Sequence, residues 1–256
     1  MHAQSADVVW TRIEALARAV PGGVIATDAD GTLWTGDVGE DLFHAFVEGG
    51  RVEDAAREAL GRDARDYAIS DAGTGSDIAR RLYAAYLEGR FPEERAYEAM
   101  TFCFAGWTRA AVRAFARGVV DQGGLSERMH GEVLEVLERA RAVGIRTVIV
   151  SASPSAVVVE AASRVGFRED DVIAARARYC GEVMMPEVER PIPYATGKVT
   201  RLRERLGDGL PVYAAFGDNA FDIPLLMMAQ IPVAVRPKPR LRAHAKDVPA
   251  LVELVA

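Results

Sequence analysis

The run Val24-Ile25-Ala26-Thr27-Asp28-Ala29-Asp30-Gly31-Thr32-Leu33-Trp34 decides how the chain is read. An apolar segment stops abruptly at two aspartates one residue apart, with Gly31 and Thr32 directly behind them. In a buried strand, side chains alternate with period two, so residues 28 and 30 point to the same side. Two carboxylates placed together at a strand end repel each other and resist desolvation. A metal ion or a proton-transfer task relieves both costs. The plainer interpretation is a strand end running into an Asp-Gly turn. The rest of the chain decides between the two.

Working upstream, Val9 to Val20 carries Ile13, Leu16 and Val20 at helical spacing, and Pro21-Gly22-Gly23 ends the helix before the strand begins. Downstream, from about Thr35 to Gly124, the pattern is helical throughout: Asp41 to Val47, Val52 to Leu60, Asp77 to Leu87, Pro92 to Phe104 and Thr108 to Val120. That stretch is far too long for one crossover helix. It reads as a helical domain, 37–124, inserted into a core built from 1–36 and 125–256. Beyond Gly123-Gly124 strands and helices alternate: a helix Glu127 to Val143, an apolar strand Ile145 to Val150, and a helix to Val165 with Ser153 as N-cap and Pro154 in its first turn. A strand Val172 to Tyr179 follows, extending into a short hairpin at Gly181. Pro186 to Pro193 reads as an irregular loop, and Lys198 to Leu206 as a helix. Val212 to Phe216 is a strand, Asp222 to Ala229 a helix, Ile231 to Val235 the last strand and Arg240 to Ala245 the last helix. Such alternation specifies an α/β fold, a Rossmann-like parallel sheet covered by helices on both faces.

The 256 residues are half hydrophobic and carry a net charge of -6, enough apolar material for a sizeable core and an acidic balance that argues against a nucleic-acid partner. No run is long and apolar enough to span a membrane, and no signal peptide is apparent. Cys103 and Cys180 stand far apart and are expected to be buried free thiols, consistent with a cytoplasmic location. Only three of the 31 basic side chains are lysines: Lys198, Lys238 and Lys246. In a chain whose default cation is arginine, each lysine invites a question.

In parallel sheets, ligands bind beyond the carboxyl ends of the strands. Asp28, Ser151 and Asp218 all stand at such ends, Asp30 follows the first and Asp222 the last. Several carboxylates converging through oxygen alone call for a hard cation, Mg²⁺ first. Lys198, at the start of a helix where a cation opposes the dipole, suits a compact ammonium required at the same place.

These residues carry a resemblance. Asp28-Ala29-Asp30-Gly31-Thr32 resembles the DxDGT motif of the haloacid dehalogenase superfamily. Val148-Ile149-Val150-Ser151, Lys198 and Gly217 to Asp222 match its second, third and fourth motifs in order. The segments VIVSASP and GDNAFDIPLL look most like the branch that contains phosphoserine phosphatase, and the helical insert occupies the place of a C1-type cap. The resemblance implies a Mg²⁺-dependent phosphatase acting on a small phosphate monoester. Asp28 would be the nucleophile and Asp30 the general acid and base, with Ser151 and Lys198 holding the phosphoryl oxygens. Mg²⁺ would sit on Asp28, the Asp30 carbonyl and Asp218, supported by Asp222. Gly31, Thr32, Asp37 and Ala152 would line the substrate.

Phosphoserine phosphatases read DxDST and GDGxND, whereas here Gly31, Asn219 and Phe221 depart from the pattern. Asp37 occupies the position of the acid that meets the substrate amine, so the expected substrate is an amine-bearing ester such as phosphoserine, phosphoethanolamine or phosphocholine. Glu40 and Asp41 are read as helix-start acids, and Asp71 to Asp77 as a loop at the mouth of the cap. The alternatives are a phospho-accepting, Mg²⁺-binding signalling or binding protein without turnover, and a phosphatase for sugar or nucleotide phosphates. A response-regulator receiver would be shorter and lack the insert, and a dehalogenase would lack Asp30.

Overall fold

The computed structural model describes residues 1–255. The chain opens with β1 (His2–Ser5), α1 (Ala6–Ala19) and β2 (Val24–Thr27). Five helices follow without a strand: α2 (Val38–Glu48), α3 (Asp54–Asp66), α4 (Gly75–Leu87), α5 (Glu93–Phe102) and α6 (Arg109–Gln122). Then come α7 (Gly131–Ala142), β3 (Arg146–Pro154), α8 (Ser155–Ser163), β4 (Val172–Ala175), β5 (Ala177–Cys180) and β6 (Val183–Val188). The chain finishes with α9 (Thr196–Leu206), β7 (Val212–Gly217), α10 (Ile223–Met228), β8 (Ile231–Val235), α11 (Pro239–Ala243) and β9 (Val252–Val255).

Seven strands form one sheet in the order β1-β9-β8-β7-β2-β3-β4, and every pair in it is parallel. β2 lies inside the sheet between β3 and β7, and all four of its residues are buried. Its near-continuous apolar sequence is what a strand covered on both faces requires. The strand order turns back at β2 and β7, so their carboxyl ends flank the crevice where such sheets take ligands.

Two apolar layers cover the sheet. One is filled by α9, α10 and α11 through Leu202, Leu225, Leu226 and Leu241. The other runs without a break from α1 and α7 into the inserted helices. There Phe46, Phe104, Trp107 and Phe115 stack on one another, with ring centroids 3.9 to 6.3 Å apart. The antiparallel hairpin β5–β6 closes on the same helices, with the Met184 amide donating to the Trp107 carbonyl and the Gly106 amide to the Met184 carbonyl. Glu160, buried on α8, accepts from Arg113 and Arg117 of α6 and ties that helix to the sheet layer.

Several local expectations are corrected. β1 and β9 escape the sequence pattern because they are four-residue strands, and β1 forms a mostly exposed edge. The helix expected from Glu127 starts only at Gly131, after a separate 3₁₀ turn at Leu125–Arg128. Pro186 belongs to β6 and not to a loop, a place proline accepts in a two-stranded hairpin that is edge on both sides. Cys180 is exposed at the hairpin turn, and only Cys103 is buried. Ser153 does not cap α8. β3 continues through it to Pro154, which takes the N-cap position. The register of β3 against β4 shifts between Val150 and Pro154. Such an irregularity bends the strand and re-aims side chains, and it does so here at Ser151 to Ser153.

Candidate active site

Asp28 is the first residue beyond β2, and its amide donates to the Phe216 carbonyl at 2.9 Å. Its carboxylate is buried. Oδ1 accepts from Lys198 Nζ at 2.5 Å and Oδ2 from the Thr32 hydroxyl at 3.3 Å. Lys198 is wholly buried in the first turn of α9 and donates a second bond to Asp222 Oδ1, also 2.5 Å. Burial works against its charge, but Asp222 and Asp28 outweigh that and hold its pKa above the ordinary lysine value.

β7 ends in Gly217, and Asp218 follows it. Asp222 faces back: its Oδ2 accepts from the amides of Asp218 and Asn219 at 3.1 and 2.9 Å. Both Asp222 oxygens are therefore engaged, which makes it a brace for the turn and for Lys198. Asp218 differs. Its Oδ2 pairs with Lys238 Nζ at 2.9 Å, while its buried Oδ1 has no hydrogen-bond partner. Asp28, Asp218 and Asp222 each bring one oxygen within 4.8 Å of the others. Burial pushes Asp28 well above the usual carboxylate range, with Asp222 and Asp218 adding to the effect. Burial, then the charge of Asp222, raises Asp218 to about 6. A buried oxygen cluster with one orphaned acceptor fits a hard divalent cation.

Asp30 turns away from this cluster. Its Oδ1 accepts from the Val38 amide and Trp34 Nε1, both at 2.8 Å, and its Oδ2 from the Ser153 hydroxyl at 2.7 Å. Burial raises its pKa, and those three donors oppose the rise. Gly31 makes the turn possible. It sits at φ +81°, and a Cβ there would lie 2.1 Å from Asp218 Oδ2. Gly39 lets the first turn of α2 approach Ser153, whose Oγ would be 2.8 Å from a Cβ.

Ser151 is buried on β3, and its hydroxyl accepts from the Ser153 amide at 3.1 Å. Asp37 caps α2 by accepting from the Glu40 amide at 2.9 Å. Burial, then Asp30 and Glu40, push its pKa well up. These groups surround a cavity of about 250 Å³ lined by Asp28, Asp30, Gly31, Asp37, Ser151 and Ala152 together with Glu40, Tyr86, Glu93, Tyr97, Ser153, Phe221 and Lys238. Thr32, Lys198, Asp218 and Asp222 stand behind its wall. A larger hollow of about 510 Å³ lies between α6, α8 and the hairpin and contains none of the site aspartates.

The sequence expectations miss Tyr86, Glu93 and Tyr97 of the inserted helices, and also Ser153 and Lys238. Ser153 stands two residues from Ser151, and Lys238 is one of only three lysines; both hints were present. Residues 71–77 contribute nothing to the cavity. Instead, Thr74 and Asp77 form a reciprocal cap on α4, and Arg65 pairs with Asp71. Asp41 is paired with Arg128 at 2.6 Å, whereas Glu40 faces the cavity.

Residues 25–227 match the family model of haloacid dehalogenase-like hydrolases. The chain belongs to that family. No curated protein matches this haloacid dehalogenase-like hydrolase. Among solved structures it is similar to a protein of unknown function from Bordetella pertussis Tohama I, at 22% identity over 90% of this chain and 97% of that one, with a TM-score of 0.66. A functionally unknown protein from Anaerococcus prevotii DSM 20548 is 14% identical over 96% and 91% of the two chains, with a TM-score of 0.69. A phospho-aspartyl intermediate analogue of phosphoserine phosphatase is 15% identical over 90% and 92%, with a TM-score of 0.52. The hydrolase therefore shares its fold with phosphoserine phosphatase. Among the described residues no helix is long and apolar enough to cross a membrane.

Proposed function

We propose that this hydrolase is a Mg²⁺-dependent phosphatase that cleaves a small phosphate monoester bearing a positively charged group, through a phosphoryl-enzyme on Asp28. The observation that carries this reading is the placement of Asp28. It lies buried at the end of an interior strand, held by Lys198 and grouped with Asp218 and Asp222, and it lines the cavity.

In the first displacement an Asp28 oxygen forms a bond to phosphorus while the ester P–O bond breaks. Asp30 gives its proton to the departing alkoxide, and the raised pKa of Asp30 suits a group that must hold that proton. In the second, Asp30 as carboxylate takes a proton from water as the water oxygen bonds to phosphorus. The Asp28–phosphorus bond then breaks, and inorganic phosphate leaves. Ser151 and Lys198 hold phosphoryl oxygens, and the Lys198 ammonium opposes the effect of burial on Asp28. A divalent cation held by Asp28, the Asp30 carbonyl and Asp218 would offset the charge of the phosphoryl group as the carboxylate approaches it. Asp37 meets the cationic group of the substrate.

We also propose that residues 37–124 act as a cap over a core of 1–36 and 125–256. Helices α2, α4 and α5 supply Asp37, Glu40, Tyr86, Glu93 and Tyr97 to the cavity, which supports a role in selecting the substrate. Hydrolysis of an aryl phosphate with Mg²⁺ and with excess chelator tests the proposal. Turnover that stops in chelator and returns with Mg²⁺ supports it; full turnover in chelator removes the metal assignment.

A further inference from the structure

The cavity is chemically two-ended. Asp28, Ser151 and Lys238 stand at the phosphate end. The far end is built from three carboxylates, Asp37, Glu40 and Glu93, and the rings of Tyr86 and Tyr97, whereas the Phe221 ring faces Lys198 Nζ at 5.0 Å and belongs to the phosphate end. Among the described residues, none of the lining side chains is an arginine, although all but three of the 31 basic residues of the chain are arginines.

The nearby cations are engaged elsewhere. Lys238 pairs with Asp218. Arg128, behind Gly36, donates to the Thr35 carbonyl and to Asp41. Arg240 reaches Glu93 at 3.3 Å from the rim with 72% of its side chain exposed, so it screens that one acid from outside. Asp37 and Glu40 have no arginine or lysine within salt-bridge distance among the described residues. Tyr97, largely buried, donates to Asp37 at 3.4 Å; Tyr194, outside the lining, donates to Glu93 at 3.1 Å; and half-buried Tyr86 lines the cavity beside these acids.

Carboxylates beside aromatic faces attract an ammonium group, including an alkylated one that cannot donate hydrogen bonds. The same surroundings repel a carboxylate that finds no guanidinium partner. From this, and resting on the phosphatase reading above, we infer that the substrate is an ω-ammonium alkyl phosphate monoester without a carboxylate. That narrows the amine-bearing class: an aminoalcohol phosphate fits, and an amino-acid phosphate does not.

The test is the ranking of kcat/KM for phosphocholine, phosphoethanolamine, O-phosphoserine and glycerol phosphate with Mg²⁺, alongside calorimetric titration with choline and with serine. Choline probes the far end alone and needs no turnover. The inference expects both aminoalcohol phosphates to exceed phosphoserine and glycerol phosphate by at least about tenfold, and choline to bind more tightly than serine. Phosphocholine ahead of phosphoethanolamine assigns the larger share to the rings, and the reverse order to the carboxylates. Tyr86→Leu and Glu40→Gln should each lower the ratio of phosphocholine to glycerol phosphate turnover about fivefold or more. Phosphoserine or glycerol phosphate at the head of the ranking overturns the inference and leaves the phosphatase reading intact. Absence of turnover on every ester, with choline still bound more tightly than serine, overturns the phosphatase reading and supports the ammonium site. Choline binding no better than serine overturns the ammonium site in either case.

Discussion

The Ser153 hydroxyl donates to Asp30 Oδ2 at 2.7 Å and so joins the bent end of β3 to the turn that follows β2. With the Val38 amide and Trp34 Nε1 on the other oxygen, this bond fixes the orientation of the carboxyl group proposed to move the proton. A general acid contributes roughly 10²–10⁴-fold to rate, and one of its three supports should account for about tenfold. Ser153→Ala should therefore lower kcat for an alkyl phosphate about tenfold and for a nitroaryl phosphate much less, because a good leaving group needs little protonation. Asp30→Asn should show the same asymmetry more strongly. Equal losses on both esters would remove Asp30 from the acid role.

Lys238 reaches Asp218 from a half-exposed position and lines the phosphate end of the cavity. Its contribution to a bound phosphate is that of a charge-assisted bond weakened by solvent, about 1 kcal/mol. Lys238→Met should raise KM roughly fivefold with a smaller change in kcat. A loss confined to kcat would place Lys238 in the chemical step instead.

Lys198 is wholly buried between two carboxylates. Removing one partner of a buried charge network leaves the others uncompensated, at a cost of about 3–5 kcal/mol. Lys198→Met should fall in that range by denaturant titration in chelator and should be inactive. A stability loss under about 1 kcal/mol would contradict a buried charge network that depends on Lys198.

His130 is buried beside the site turn, with Nδ1 facing the Thr32 carbonyl and Nε2 the Thr35 hydroxyl, both at 2.9 Å. Nδ1–H donating and Nε2 accepting satisfies both bonds with the neutral ring. Burial lowers its pKa below the ordinary 6.5. The unfolded chain then binds a proton that the folded chain resists. The contribution of His130 is complete above about pH 6.5 and declines as pH falls through that value toward the lower folded pKa. Comparison with His130→Gln cancels the titration of the carboxylates. The wild type should lose stability relative to the variant between pH 7 and pH 5. A constant difference across that interval would contradict the lowered pKa.

Much of the fold and of the site is legible in the sequence, for physical reasons. β2, β3, β7 and β8 are buried on both faces and so appear as apolar runs. The aspartates that end β2 and β7 are conspicuous because charge interrupts those runs. β1 and β9 are too short to show a period. Ser153 looks like a helix cap because Pro154 follows it. Only the irregular pairing of β3 with β4, a tertiary effect, keeps the residue in the strand and turns it toward Asp30. The far end of the cavity is assembled from Asp37, Glu40, Tyr86, Glu93 and Tyr97 on three different helices. No local pattern joins residues that meet only through helix packing, so the sequence marks the acid-rich segment 71–77 while the cavity is lined by Tyr86 of α4 and by Glu93 and Tyr97 of α5.

The central claim is that Asp28 carries the phosphoryl group during turnover. Rapid acid quench during steady-state hydrolysis, followed by mass spectrometry of the peptide that contains Asp28, tests it most directly. The account predicts a single phosphoryl adduct on that peptide. It should be lost on treatment with hydroxylamine, be absent from Asp28→Asn, and accumulate when Asp30→Asn slows the attack of water. Turnover by the wild type with no adduct at Asp28, or undiminished turnover by Asp28→Asn, would contradict the account.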